Sequence, residues 1–276
     1  MTILNAIILG LIQGIAEFFP ISSSGHLSIL NNLFDVVTVT DGHMLYDSML
    51  KLGTLAAVIV MYWQEIAQMT NEVRALAGRG PLAGQRSRRP YARLFVMLVL
   101  ATLPLLILLP VKHLIDELYY RNVFVGIELI LTGCVLYVSD RMIPGKKTER
   151  NMTVFDALII GICQSVATIP GLSRTGTTVA AGIATGLRAD FALKFSFLLS
   201  LPALLGADII SLIQAMQQGI DIHNVPAYLI GMLSAMLSGI AAISLMKKLF
   251  RNGKFNGFSY YCLIIGVLSI ILTIIF

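Results

Sequence analysis

The chain has 276 residues, of which 57% are hydrophobic and only 13% are charged, and its net charge is +5. A soluble domain carries about 25% charged residues, so this chain has too few polar side chains to cover a water-facing globule. The composition therefore predicts an all-α polytopic membrane protein. The basic residues lie in short segments between apolar runs, which is typical of membrane orientation and argues against a nucleic-acid partner.

Apolar segments near the length of a membrane span, about 20 residues, follow one another along the chain. In the first half we predict them at 2–19, 24–37, 44–63, 93–116 and 121–139, with basic loops at 64–92 and 140–152. In the second half we predict them at 153–169, 176–187, 191–216, 225–246 and 257–276, with a basic loop at 247–256. Basic loops mark the cytoplasmic side, so we expect all three there.

Two polar stretches interrupt the apolar sequence, Gln13–His26 and, about 150 residues later, Gln164–Thr178. Each contains a proline, and each precedes a segment too short to span. The backbone at such a break must be buried in protein or line a cavity, so the pattern predicts two re-entrant helical hairpins plus about six spanning helices. The two halves, about 1–139 and 153–276, cross in opposite directions, which predicts an inverted-topology repeat within one transmembrane domain, 1–276.

The first polar stretch carries three consecutive hydroxyls. Ser22, Ser23, Ser24 and Gly25 precede a helix that begins near His26. Amides at a helix start are unpaired and carry the positive end of the helix dipole, so this is a site for an anion such as phosphate. The alternative is that the serines only cap the helix. His26 titrates near neutral pH, which suits proton transfer, although a lone histidine is more often structural.

The second polar stretch carries Arg174, a charge at membrane depth. Such a residue is a functional-site hypothesis by default, and its planar fork suits phosphate oxygens. The alternatives are an ion pair with Glu17 or extension to the membrane surface. Ser173 and Thr175 either donate to the same phosphate or cap the following helix.

Glu17 is the other costly charge. It could hold a divalent cation, act as a base, or balance Arg174. Gln13 lies one helical turn earlier and projects from the same face. An amide and a carboxylate together suit a hard cation or a network that orients a water, and we assign both residues as metal ligands.

Together these groups predict phosphoryl transfer on a lipid-linked substrate. Arg174 and the helix-start amides would neutralise phosphate oxygens, a hydroxyl or a water would attack, and His26 would move the proton. A lipid-phosphate transporter or flippase is the alternative, because paired broken helices also occur in transporters. A carrier, however, needs no nucleophile. A purely structural protein would leave Glu17 and Arg174 unexplained.

At these residues the whole chain resembles the undecaprenyl-diphosphate phosphatases of the bacitracin-resistance type. The resemblance is carried by Q-G-I-A-E-F-F-P-I-S-S-S-G-H at 13–26, L-x-L-G-T-L-A-A-V at 50–58, P-G-L-S-R-T-G-T-T at 170–178 and F-S-F-L-L-S-L-P-A-L-L-G-A at 195–207. It implies removal of the terminal phosphate of undecaprenyl diphosphate, which recycles the lipid carrier for cell-wall synthesis and confers bacitracin resistance.

The resemblance also implies cofactor, partner and place. It implies a divalent cation, Mg²⁺ or Ca²⁺, and a polyprenyl diphosphate substrate taken from the bilayer. It implies a multi-pass protein of the bacterial plasma (inner) membrane whose site faces the outer side. A homodimer is left open as the oligomeric state.

Three motifs of that family map onto this chain: its acidic motif onto Gln13 and Glu17, its serine motif onto Ser22, Ser23 and His26, and its arginine motif onto Ser173, Arg174 and Thr175. The mapping implies Ser23 as nucleophile, with His26 in proton transfer or as a rival nucleophile. Gln13 stands where some members carry Glu, which leaves one carboxylate in the acidic motif.

Overall fold

The structure is a computed structural model that describes residues 2–34, 43–79, 89–108, 122–169, 171–218, 222–255 and 257–275. Residues 35–37 of the second predicted segment, 80–88 of the first basic loop, 109–116 of the fourth segment and Pro170 lie outside this range. In the described part the fold is all-α. Its eleven α-helices are α1 Ile3–Phe18, α2 Ser23–Phe34, α3 His43–Met61, α4 Trp63–Leu76, α5 Pro90–Leu108, α6 Asn122–Ser139, α7 Val154–Val166, α8 Arg174–Ala184, α9 Ala189–Gln218, α10 Val225–Leu249 and α11 Phe258–Ile275.

The lengths and apolar composition of these helices confirm a multi-pass membrane protein. Pro90–Ile107, Ala189–Gly206 and Val225–Asn252 are each long and apolar enough to cross a bilayer. α3 and α4 together form a fourth such segment, bent by 75°. α1, α6, α7 and α11 are apolar but shorter over their described parts, so the predicted number of about six spans stays a prediction.

The polar segment after residue 63 was predicted to be a loop, and this prediction is wrong for its first part. α4 covers Trp63–Leu76 and buries Met69 and Ala75. Its Glu72 carboxylate accepts hydrogen bonds from the amides of Tyr91 and Ala92, both at 2.8 Å, at the start of α5. A carboxylate in that position satisfies unpaired helix-start amides and is favoured by the helix dipole. The segment is polar because it is amphipathic, not because it is irregular.

The helices pack closely where glycines replace larger side chains. α1 lies along α10, and α6 lies along α11. A Cβ added at Gly14 in α1 would lie 2.4 Å from the carbonyl oxygen of Ala235 and 2.0 Å from Ser238 Oγ in α10. A Cβ added at Gly126 in α6 would lie 2.9 Å from the carbonyl oxygen of Gly266 in α11. Small residues of this kind let helix backbones approach in a membrane, where dispersion replaces the hydrophobic effect as the main attraction.

Contacts join two of the basic segments, 140–152 and 247–256, at one end of the bundle. Lys147 Nζ donates to both carboxylate oxygens of Asp156 at the start of α7, at 2.8 and 2.9 Å, and to the carbonyl oxygen of Thr185 after α8, at 2.9 Å. It therefore ties together the two open ends of the α7–α8 hairpin. The Phe255 amide donates to Asp140, and Arg93 Nη2 donates to the Met152 carbonyl oxygen at 2.6 Å. We call the end formed by residues 140–153, 185–190 and 247–255 the basic end.

The glycine contacts lead to a stability prediction. Gly14→Ala should destabilise the protein by about 1–3 kcal/mol, because the new methyl group meets α10 backbone that cannot rotate away. Gly206→Ala is the control, since no described atom lies within 4 Å of its added Cβ, and alanine favours the helix by about 0.5–1 kcal/mol. Thermal unfolding of the detergent-solubilised protein compares the two. An unchanged midpoint in Gly14→Ala would contradict the close α1–α10 contact.

Candidate functional site

The first break joins α1 to α2 and ends in a serine cap. Ser22 has φ +67°, a left-handed conformation that is uncommon for a residue other than glycine. Its Oγ accepts from the Gly25 amide at 3.2 Å, and its carbonyl oxygen accepts from the His26 amide at 3.2 Å. Ser22 thus caps α2, and the amides of Ser23 and Ser24 in the first turn have no carbonyl within the helix to bind.

The second break joins α7 to α8 and ends in the same kind of cap. Ser173 Oγ accepts from the Gly176 amide at 3.1 Å, and its carbonyl oxygen accepts from the Thr177 amide at 2.9 Å. This leaves the amides of Arg174 and Thr175 as the first two of α8. Two helix starts are therefore present, and the positive end of each helix dipole favours an anion.

The two breaks touch each other. Ser24 Oγ accepts from the Gly171 amide at 3.2 Å. A Cβ added at Gly25 would lie 3.6 Å from the Gly171 Cα. The polar stretches that lie about 150 residues apart in the sequence are therefore in direct contact.

Glu17, at the end of α1, is the centre of this site. Its Oε1 accepts from Arg174 Nη2 in an ion pair, and its Oε2 accepts from Ser23 Oγ at 2.7 Å and from Gln13 Nε2 at 3.1 Å. Its carbonyl oxygen accepts from Thr175 Oγ1 at 3.0 Å. Only 9% of the Glu17 side chain and 19% of the Arg174 side chain are exposed. The Glu17 carboxylate thus binds the side chains of Gln13, Ser23 and Arg174. The Glu17 carbonyl oxygen binds Thr175.

His26 is near the site but is held by other partners. Its Nδ1 lies 2.8 Å from the Ser22 carbonyl oxygen, which can only accept, so Nδ1 carries the proton. Its Nε2 lies 2.8 Å from the Tyr261 hydroxyl and accepts from it. The two rings are stacked, with centroids 5.6 Å apart. Ser23 donates to Glu17 rather than to His26, so the hydroxyl that the sequence paired with an imidazole is paired with a carboxylate.

α6 forms the back of both breaks and adds residues that the sequence analysis missed. Thr132 Oγ1 accepts from the Ser173 amide at 2.9 Å and donates to the Gly171 carbonyl oxygen at 3.3 Å. A Cβ added at Gly171, which has φ +95°, would lie 2.4 Å from Glu128 Oε2. Glu128 was detectable in the sequence by the rule that singled out Glu17, as an acid inside an apolar run. Thr132 and Tyr261 had no comparable signal.

The donor set is compatible with a cation that is shared with substrate. The described residues contain no cluster of three or more His, Cys, Asp or Glu side chains that could hold a metal alone. Mg²⁺ is usually bound through one or two carboxylates plus substrate phosphates and water. The Glu17 carboxylate and the Gln13 amide oxygen provide oxygen ligands of that kind, although Glu17 is engaged with Arg174.

Fold and site together define a helical membrane protein with an arginine, a carboxylate and helix-start amides gathered at two helix breaks, an arrangement suited to binding phosphate. The family described as "Bacitracin resistance protein BacA" matches residues 6–268. The undecaprenyl-diphosphatase of Methanosphaera stadtmanae is 36% identical, covering 100% of this chain and 99% of the relative. That of Carboxydothermus hydrogenoformans is 34% identical, covering 99% and 98%. The chain belongs to the bacitracin resistance protein BacA family.

The His26–Tyr261 contact leads to a prediction on activity. Among the described residues, only the Tyr261 hydroxyl binds His26 Nε2. Tyr261→Phe removes this hydroxyl, so the His26 ring loses one restraint. A net hydrogen bond contributes about 0.5–1.5 kcal/mol, so we expect turnover to fall by about 3–10-fold with the protein still folded. Tyr260→Phe is the matched control, because the Tyr260 ring packs on Tyr137 instead, at 6.2 Å. Equal turnover in both variants would remove Tyr261 from the site.

Proposed function

We propose that this protein hydrolyses undecaprenyl diphosphate to undecaprenyl phosphate and inorganic phosphate, and so recycles the lipid carrier for cell-wall synthesis and confers bacitracin resistance. The single observation that carries this proposal is the Glu17 carboxylate, which holds a serine hydroxyl and an arginine side by side. The relatives match this chain over nearly their full lengths and are named undecaprenyl-diphosphatases, which supports the same activity for this protein.

Ser23 is the proposed nucleophile. Its Oγ would bond to the terminal phosphorus while the bond from that phosphorus to the bridging oxygen breaks, releasing undecaprenyl phosphate. The Ser23 proton would pass to Glu17 Oε2, to which the hydroxyl already donates at 2.7 Å. A carboxylate in this position acts as the general base. Water would then attack the phosphoserine and release phosphate, and Ser23 would recover its proton.

Arg174 and the helix-start amides are the proposed phosphate binders. Phosphoryl transfer requires mainly positioning and neutralisation of the oxygens. The guanidinium of Arg174 presents several donors, so it can turn from Glu17 to a phosphate without losing all contact. The first amides of α2 and α8, with the hydroxyls of Ser22, Ser24 and Ser173 beside them, would receive the remaining oxygens.

His26 is proposed to act on the second half of the reaction. Its Nε2 accepts a hydrogen bond from Tyr261 at 2.8 Å, so the same nitrogen can take a proton from the attacking water when that water displaces the tyrosine hydroxyl. The Nδ1–H bond to Ser22 fixes the ring and its tautomer. A divalent cation, Mg²⁺ or Ca²⁺, held in part by Glu17 and Gln13, would supply Lewis-acid stabilisation of the phosphate oxygens.

We also propose that the fold is an inverted-topology repeat containing two re-entrant hairpins. An inverted repeat would relate α1 to α7, α3 to α9, α5 to α10 and α6 to α11. Under this relation the α1–α10 contact corresponds to the α7–α5 contact, and the α3–α10 contact corresponds to the α9–α5 contact. All four of these helix pairs are in contact. The cap of α2 by Ser22 and Gly25 has the same form as the cap of α8 by Ser173 and Gly176. A Cβ added at Gly10 in α1 would meet the backbone of α10, and a Cβ added at Gly161 in α7 would meet the backbone of α5.

The proposed location is the bacterial plasma (inner) membrane, with the site open to the outer side. The site lies at the tip of the α7–α8 hairpin, where Arg174 begins the 11-residue α8, so about 16 Å of helix separates Arg174 from the basic end at Thr185. The positive-inside rule places basic ends in the cytoplasm. With the basic end in the cytoplasm, the site is proposed to open toward the opposite, outer end, which makes orientation a decisive measurement.

The activity is tested by phosphate release from undecaprenyl diphosphate in detergent, with and without EDTA. We expect metal-dependent release that falls by at least about 100-fold in Ser23→Ala and in Arg174→Lys, because each loses transition-state contacts. Ser244→Ala and Arg188→Ala are controls outside the site and should keep wild-type rates. A folded wild type that binds the lipid through Arg174 but releases no phosphate would indicate a carrier instead.

Orientation is tested by labelling single cysteines in a variant lacking Cys134, Cys163 and Cys262, all free thiols. The proposed orientation predicts that His223→Cys, before α10, reacts with an impermeant maleimide on intact cells, and that Lys146→Cys, at the basic end, reacts only after permeabilisation. The reverse pattern would place the basic end outside and would overturn the proposed orientation.

A further inference from the structure

Glu128 is a buried acid for which the activity proposed above has no role. It lies in α6, is 6% exposed, and among the described residues makes no hydrogen bond or ion pair. Its Oε2 is so close to Gly171 that a Cβ there would lie 2.4 Å away. Gly171 in turn donates to Ser24, so Glu128 lies directly behind the contact between the two breaks.

The charges of the site are unevenly balanced. Glu17 is neutralised by Arg174 and also accepts from Ser23 and Gln13. Glu128 has no such partner in the part of the chain that the structure describes. An acid at membrane depth is usually paired with a basic group or marks an ion pathway, and buried charges in general are paired or coordinate metals. The uncompensated acid of this site is therefore Glu128 and not Glu17.

The substrate would make this imbalance worse. A lipid diphosphate bound between the two helix starts brings further negative charge close to Glu128. Like charges at such short range repel strongly where the dielectric is low. A divalent cation between the carboxylate and the phosphate turns that repulsion into attraction and uses oxygen ligands, which both Mg²⁺ and Ca²⁺ prefer.

We propose that Glu128 is a ligand of the divalent cation, which it holds on the α6 side of the two breaks. The proposal rests on the phosphatase function, because it takes the cation and the phosphate site from it. It moves the main protein anchor of the cation away from the Glu17 and Gln13 pair. Nearby oxygen atoms that could complete the shell are the hydroxyls of Ser24 and Thr132, and the substrate would supply others.

The test measures cation binding without substrate. Wild-type protein, stripped with EDTA and purified in detergent, is titrated with Ca²⁺ or Mg²⁺ while its thermal unfolding midpoint is recorded, since a bound ligand stabilises the folded state. Glu128→Gln keeps the shape of the side chain and removes its charge. Loss of outer-shell partners alone weakens metal sites by about 10–100-fold, so Glu128→Gln should raise the half-saturating concentration by at least about tenfold. Glu65→Gln, in α4, is the matched control and should titrate as wild type.

Gln13→Ala separates the two possible anchors. If Glu128→Gln titrates as wild type while Gln13→Ala is shifted, the cation belongs to the acidic motif of α1 and the proposal fails. A wild type that no cation stabilises also overturns it. Should Glu128→Gln not fold, Glu128→Asp retracts the carboxylate by one methylene, and an unchanged half-saturation there has the same consequence. Phosphate release is measured separately, so an active enzyme with unaltered cation binding in Glu128→Gln would reject this ligand and leave the phosphatase function intact.

Discussion

The ion pair between Glu17 and Arg174 is the interaction on which the site depends. Moving two charges out of water costs several kcal/mol per ion, and their attraction offsets this only with good geometry and further hydrogen bonds. Glu17 has those bonds, from Ser23 and Gln13. Because Glu17 ends α1 and Arg174 begins α8, the pair also joins the two halves of the chain at their helix breaks. Loss of either partner would leave a buried charge and separate the elements that present the phosphate-binding amides.

The backbone of the breaks makes this pair possible. The breaks can approach only where side chains are absent, and Gly25 and Gly171 are the residues that meet. Gly171 also has φ +95°, which side chains rarely tolerate. α6 then closes the site from behind through Thr132, which binds both the carbonyl oxygen of Gly171 and the amide of Ser173. Backbone that would be unacceptable in lipid is thus satisfied by neighbouring protein, as irregular structure at membrane depth requires.

The parts of the site that sequence could predict are those with an energetic signature along the chain. Glu17 and Arg174 are charges in apolar runs, so their meeting was one of the alternatives, and the structure contains it. The partner of Ser23 was not predictable in this way. His26 is close in sequence, but its nitrogens are taken by the Ser22 carbonyl oxygen and by Tyr261.

Long-range partners have no local signature. Tyr261 is 235 positions from His26, and nothing in its neighbourhood distinguishes it from an interfacial tyrosine. Glu128 is the opposite case. Its charge was visible in the sequence, but its lack of a hydrogen bond or ion pair among the described residues was not. The polar composition of residues 63–76 indicated a loop because hydropathy alone does not separate a surface helix from irregular chain, whereas the burial of Met69 and Ala75 on one face does.

The direction of the Ser23 hydrogen bond favours hydrolysis of a bound phosphate over its transport. A carrier needs groups that neutralise phosphate and release it unchanged, and Arg174 with the helix-start amides would suffice. In this site the Ser23 hydroxyl donates to a carboxylate, so its oxygen lone pairs point away from Glu17. A phosphate held by Arg174, which contacts the same carboxylate, would lie beside those lone pairs. In the proposed mechanism the carboxylate that positions the arginine for binding is also the base that activates the nucleophile, and a binding function alone gives no reason for that coincidence.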